Sequence, residues 1–196
     1  QQALADEYRK RNQNPVSNHV TKPKTDWSAE TFTTPTFTGI RTLDEVPVSE
    51  ITPYINWTYF YNCWKVRPGS PEADSLHADA EAILQSPALK DAAMRCQVAF
   101  YDANSDGNDN IIVDNRVTIA TPRQRPSATR SLCLALSDYI APKGFSDHIG
   151  CFVVTLGDKL RTLADSAEDD YHRLLVKSLC DRVAEATSEW LHRRVR

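Results

Sequence analysis

Glycine is scarce in this chain of 196 residues, which holds six. None of the six builds a phosphate-cradling loop, and no G-x-S-x-G elbow occurs. Phosphate grip through a glycine-rich turn and serine-hydrolase chemistry therefore have no basis in the sequence. No C-x-x-C is present either. The five cysteines, Cys63, Cys96, Cys133, Cys151 and Cys180, are widely spaced, and none has a histidine at metal-ligand spacing. This argues against a disulfide framework and a structural zinc site and for reduced thiols in a cytoplasmic protein. No apolar run approaches the ~18 residues of a membrane span. The net charge is −3, so there is neither a nucleic-acid footprint nor a patch drawn to anionic lipid. The first residues, Gln1 to Tyr8, lack the basic start and apolar core of a signal peptide.

Hydrophobic residues make up 41% and charged residues 25%, the balance of a globular domain with a core. Residues 1–11 have the pattern of a short charged helix, and residues 12–38, rich in Asn, Pro, Thr and Lys, read as an extended arm whose Trp27 can dock on a body spanning 39–196. Ser49 to Tyr54 reads as a helical turn. Five aromatics crowd the ten residues Ile55 to Trp64, a density typical of a core or a ligand cleft. Ser70-Pro71-Glu72-Ala73-Asp74 is a helix start, with an N-cap, a proline at the first position and two early acids. Ala73, Leu76, Ala80, Ile83 and Leu84 continue it at helical spacing. Gln97–Tyr101 reads as a strand. Ile111–Val113 and Arg116–Ala120 read as a hairpin about a two-residue Asp114-Asn115 turn. Ser131–Tyr139 is expected to be helical and Ile149–Leu156 a buried strand. A last helix is expected from about Ser166, capped by Ser166 with Asp169 three residues on, its buried stripe formed by Leu175, Leu179, Val183, Ala186, Thr187 and Trp190.

Several constellations invite a chemical reading. Asp181 and Glu185 share a helix face, but Arg182 and Arg193 stand at pairing distance from Glu185 and Glu189, as on a solvated surface. Asp102-Ala103-Asn104-Ser105-Asp106-Gly107 opens like a calcium loop. The eighth and twelfth positions are Asp109 and Val113, where calcium needs an apolar residue and a bidentate acid, so a polar turn between strands is the simpler reading. His148, His172 and His192 lie near acids without a nucleophile in a recognisable arrangement. Asn56-Trp57-Thr58 is formally a glycosylation sequon inside an apolar segment.

Five blocks, in order, carry a resemblance across most of the chain. Tyr54-Ile55-Asn56-Trp57-Thr58 with Phe60 and Trp64 is similar to Y-I-D-W-T-x-F-F…W. Ala103-Asn104-Ser105 with Gly107 and Asp109 is similar to P-A-N-x-x-G-D-D-I, with Asp102 in place of the proline. Leu136 to Lys143 is similar to L-A-D-F-I-A-P-K, and Asp147 to Thr155 to D-Y-I-G-A-F-A-V-T. Asp170-Tyr171, Asp181-Arg182 with Ala184-Glu185-Ala186, and Leu191-His192 with Val195-Arg196 are similar to D-D-Y, A-D-R-x-A-E-A and L-H-x-x-V-R. These blocks belong to the reactivation domain of cobalamin-dependent methionine synthase.

The resemblance implies an α+β fold, a C-shaped single domain with a twisted antiparallel sheet packed with helices. It implies a module that presents S-adenosylmethionine to cobalamin on another domain, while a flavoprotein supplies the electron that returns cob(II)alamin to its methylated form. Two cofactor-binding positions carry over: Asn56, where the family has an acid, and Glu185, where the acid is retained. The family's R-x-x-x-G-Y segment follows the last helix, beyond Arg196, and no such motif occurs within these residues. The expectation is a shortened, stand-alone relative acting in trans on a cobalamin-binding methionine synthase or other corrinoid protein. Its S-adenosylmethionine binding would be weak or lost, its cobalamin would come only through the partner, and the chain would not be catalytic alone. The alternative is a docking module for a corrinoid protein or flavoprotein that no longer binds S-adenosylmethionine.

Overall fold

A computed structural model describes residues 20–90, 92–127, 130–167 and 169–196. The helix expected over 1–11 and the start of the arm lie outside them. The elements run β1 (Gly39–Pro47), α1 (Val48–Ile51), a 3-10 turn (Thr52–Tyr54), α2 (Trp57–Cys63), α3 (Pro71–Leu84), α4 (Pro87–Lys90), β2 (Ala93–Ser105), β3 (Asn110–Val113), β4 (Val117–Ala120), a second 3-10 turn (Leu136–Tyr139), β5 (His148–Thr155), α5 (Asp158–Asp165) and α6 (Asp170–Val195). The strands follow the order β1-β2-β3-β4, with β5 also on β2. Helices and an antiparallel sheet together make the α+β class expected from sequence.

The chain divides into two compact units. The larger comprises Ile40–Ala99 and Cys151–Arg196. Its core is organised by α6, a helix of 26 residues whose Leu175, Leu179, Val183 and Leu191 are fully buried. These positions follow one another at four- or eight-residue steps, so they share one face. Burying each such side chain contributes about 1.5–3 kcal/mol. Helices α1, α2, α3 and α5 and the first 3-10 turn all pack on α6. Phe60, Ile51, Met94 and Leu160 fill the space between, none more than 1% exposed. Thr187, also fully buried, returns its hydroxyl to Val183 O at 2.6 Å.

Helix α3 starts as its sequence dictates, with Ser70 Oγ accepting from Ala73 N at 3.2 Å and Pro71 at the first helical position. The start of α6 differs from expectation. Ser166 closes α5 rather than opening the last helix, and Asp169 is the N-cap, accepting from His172 N at 2.7 Å. Of the expected stripe, Trp190 is only partly buried and Leu191 takes the inward place. Gly157 begins α5 where a Cβ would lie 2.4 Å from Ala93 O, so no other residue fits without moving backbone.

The second unit comprises Phe100–Gly150 with, among the described residues, 20–39. Its hairpin pairs Ala103 with Val113 and Val113 with Val117. Three residues, not two, form the turn, and Asp114 and Asn115 both adopt the left-handed conformation that short polar side chains tolerate. The 131–139 segment is helical only over Leu136–Tyr139, as a 3-10 turn. Strand β5 is present but not buried: Val153 is 58% exposed. Only its ends meet apolar clusters, Ile149 one and Val154 the other, so β-branched composition marked a strand without fixing its cover. The described part of the arm, from residue 20 on, is bonded through Thr21 N to Ser131 O at 2.9 Å, with Trp27 stacked on Phe32 and Phe32 against Phe145.

The strongest polar device in this unit is Arg123. Its guanidinium donates to Asp109 Oδ1 at 2.7 Å, to both oxygens of Asp138 at 2.6 Å and to Cys133 O at 2.6 Å, and Lys22 Nζ reaches the same Asp109 Oδ1 at 3.0 Å. These bonds to Arg123 hold both carboxyls below the usual carboxylate range. Two depressed carboxyls stabilise the fold above their unfolded pKa, about 3.9, and that contribution is lost as pH falls through the lower folded values. Arg123→Met is expected to cost about 3–5 kcal/mol in urea unfolding, because it strands two partly buried acids. The variant should also lose less stability than the parent between about pH 5 and pH 2.

All five thiols are free, with Cys63 and Cys151 exposed and Cys96, Cys133 and Cys180 buried. Burial pushes the Cys96 and Cys180 thiols up, and Asp181 adds to the effect at Cys180. A thiol-reactive chromophore should label two cysteines quickly and the other three only on unfolding.

Candidate functional site

The site is assembled in the larger unit from the turn before α2, from α2 itself and from the outward face of α6. Thr52 and Pro53 tighten the chain into the 3-10 turn, and Ile55 anchors it by burial. Asn56 then takes an extended conformation (φ −83°, ψ 93°) and caps α2, its Oδ1 accepting from Tyr59 N at 3.4 Å, a long bond. Its side chain stands at the surface. Phe60 points into the core, while Trp57 lies half-buried, edge-on to Phe60 at 5.4 Å and to His77 at 4.1 Å. His77 is bracketed on its other sides, by Tyr61 Oη at 3.0 Å and Glu81 at 3.3 Å. Burial, with Asp74 and Glu81 behind it, raises the Tyr61 hydroxyl.

The far end of α2 ties to α6. Trp64 Nε1 donates to Ser178 Oγ at 3.0 Å, and its ring meets Tyr171 at 5.5 Å. Tyr171 donates to Asp79 at 2.6 Å; burial first, then this bond, pushes its hydroxyl up to about 12. Most of the aromatic segment therefore packs, leaving Tyr59 exposed beside Asn56.

On α6, Glu185 is exposed and its Oε2 pairs with Arg182 one turn back. The Arg182 Nε is shielded from water and has no partner among the described residues. Arg193 lies near Tyr54 Oη, at 3.5 Å, rather than on Glu189. Trp190 carries Arg194 over its face at 5.6 Å. The packing of α2 on α6 sets Asn56 and Glu185 on adjoining helices, each with an intramolecular contact of its own.

The other sequence candidates are placed elsewhere. Of the 102–109 segment, Asn104 at the end of β2 donates to three backbone carbonyls, of Ala141, Pro142 and Phe145, and Asp106 in the following turn accepts from Asn108 N and from Asn110. These groups fix a turn and do not converge on a common point, as calcium would need. Among the described residues no three His, Cys, Asp or Glu side chains group as metal ligands. His148 faces Asp102 at 3.3 Å, His172 faces Asp169 at 2.7 Å, and His192 packs on Phe152 at 4.9 Å. No helix among the described residues is long and apolar enough to cross a membrane. Two groupings escaped sequence reasoning. Arg123 sits in a loop legible only as polar, with its acids more than a dozen residues away on either side, and His77 offered no signal beyond its place on α3.

The model of the vitamin B12 dependent methionine synthase activation domain matches residues 47–196. The chain belongs to this family. A solved structure, the crystal structure of the MetH reactivation domain bound to AdoHcy, superposes with a TM-score of 0.78 at 32% identity over 91% of this chain. The chain spans 63% of that structure's length. The matched residues 47–196 include all of α1 to α6, with Asn56 and Glu185 among them.

The cap role of Asn56 is separable from any ligand role. Asn56→Ala should destabilise the fold by about 0.5–2 kcal/mol in denaturant titration, whereas Asn56→Asp, an equal or better N-cap, should not.

Proposed function

We propose that this activation-domain chain works in trans in the cytoplasm, holding S-adenosylmethionine weakly and presenting it to cobalamin carried by a separate methionine synthase module or other corrinoid protein. The role is to support reductive remethylation of cob(II)alamin in methionine biosynthesis. The observation that carries the reading is the packing of α2 on α6 in a chain of this family, which brings the Asn56 and Glu185 segments together.

The donor set suits a cationic ligand. Asn56 Oδ1 is held only by a 3.4 Å cap bond, and Glu185 has one oxygen on Arg182 and the other open to a new donor. Both are acceptors at the surface, fit for an ammonium or a ribose hydroxyl. Exposed Tyr59 offers an aromatic face, which attracts a cation by about 0.5–1 kcal/mol. S-adenosylmethionine supplies a methyl group on a sulfonium, and an electron from a flavoprotein completes the balance at the partner's cobalamin. The chain's own contribution is proximity: it fixes the donor's orientation while the partner closes over it.

Weak binding follows from the same groups. Asn56 offers an amide where the family has a carboxylate, and Glu185, being exposed, contributes about 1 kcal/mol or less. Calorimetric titration of the chain alone is expected to give affinity no better than roughly millimolar. Asn56→Asp should tighten it about tenfold by restoring the charge. Low-micromolar binding by the parent chain would refute the account of weakness. Function is tested by adding the chain, S-adenosylmethionine and a reduced flavoprotein to an inactive cob(II)alamin-form synthase lacking its own activation domain. The expected result is loss of the cob(II)alamin absorbance and return of activity. Absorbance loss without any dependence on the chain would sink the trans reading, and a chain that binds the synthase without restoring it would favour a docking module.

A further inference from the structure

A groove of about 550 Å³ lies in the larger unit where the C-terminal ends of α3 and α5 meet the first turns of α6. That volume is in the range of small-molecule sites. Its floor is apolar: Ile83 from α3, Leu163 from α5, Leu175 and Val176 from α6. Its rim carries two carboxylates, Asp79 and Asp169. Two helices end at it, α3 at Gln85 and α5 at Ser166, so terminal carbonyls and the negative ends of two helix dipoles add to the acids. The positive end of α6 is answered by Asp169, which caps it. Among the described lining residues the one group able to carry positive charge is His172, whose Nδ1 already faces Asp169 at 2.7 Å. Asp79 accepts from Tyr171 through Oδ2, which leaves Oδ1 for another donor. Ser86 Oγ, also at the groove, is shielded from water and has no partner among the described residues.

We propose that this groove binds a small organic cation: an ammonium held by Asp79 and the helix ends, on a flat apolar body lying over Ile83, Leu163 and Val176. Charge complementarity decides the sign, since among the described lining residues the acids and carbonyl ends have no free cation opposite them. The site is independent of the function proposed above, because Glu185 stands about 20 Å further along α6 than His172, at 1.5 Å per residue.

The test is calorimetric titration of the whole chain at pH 7 with tryptamine, alongside the neutral alcohol and the anionic propionate of the same indole body. Tryptamine is expected to saturate with a Kd of about 1 mM or tighter, a realistic value for so few atoms. The alcohol should bind at least about fivefold more weakly and the propionate not at all. Asp79→Asn, which keeps a partner for Tyr171, should weaken tryptamine at least about fivefold. Ala82→Trp, a substitution at an exposed rim position, should abolish binding by filling the groove. Should Ala82→Trp fail to fold, Asp79→Asn alone decides. Equal binding of amine and alcohol, no saturation by tryptamine at about 20 mM, or an unchanged Kd in Asp79→Asn would overturn the proposal.

Discussion

Burial of one face of α6 is the constraint on which the larger unit depends. Leu175, Leu179, Val183 and Leu191 turn inward over about four and a half turns of helix, and α1, α2, α3 and α5 each settle against that face. The first 3-10 turn packs on it too, so the placement of α2 and α3 is set through their packing on α6. The inward face of α6 fixes where its outward face points, and Glu185 is on that outward face. Trp64, bonded to Ser178, then locks the end of α2 to the same helix, and with it the turn that carries Asn56.

The second unit relies on a different kind of force. Its apolar cluster is small, Ala103, Ile111 and Val113 with three partly buried neighbours. Directional polar contacts carry more of its order: Arg123 joins Asp109, just before β3, to Asp138 of the second 3-10 turn and to a carbonyl, and Asn104 gathers three carbonyls of the 141–145 loop. A charge network of this kind specifies geometry well but stabilises only while every member is paired.

Local signals were legible and long-range ones were not. Ser70 and Pro71 announced α3 because capping is settled within four residues. The apolar spacing of α6 was readable because helix period and burial coincide there. The start of α6 was misplaced because Ser166 and Asp169 are both good caps; the choice between them rests on α5, which precedes Ser166 and went unread as a helix. Strand β5 was recognised by its Val and Ile content, yet its exposure depends on what lies across the sheet, which no local pattern encodes. The site was legible only through resemblance. Asn56 and Glu185 alone read as a cap and a surface acid, and both do behave so in the fold, one toward Tyr59 N and one toward Arg182. Each is held by a local contact of its own, Asn56 through its single side-chain oxygen and Glu185 through Oε2, and nothing in spacing singles either of them out.

The α2–α6 junction is the proposed seat of the methyl donor. Nuclear magnetic resonance of the ¹⁵N-labelled chain during titration with S-adenosylmethionine tests it most directly. The account predicts that the Asn56 side-chain amide and the backbone amides flanking Glu185 shift together, saturably, at millimolar ligand. Shifts confined to other residues, with Asn56 and Glu185 unmoved at saturation, would contradict it.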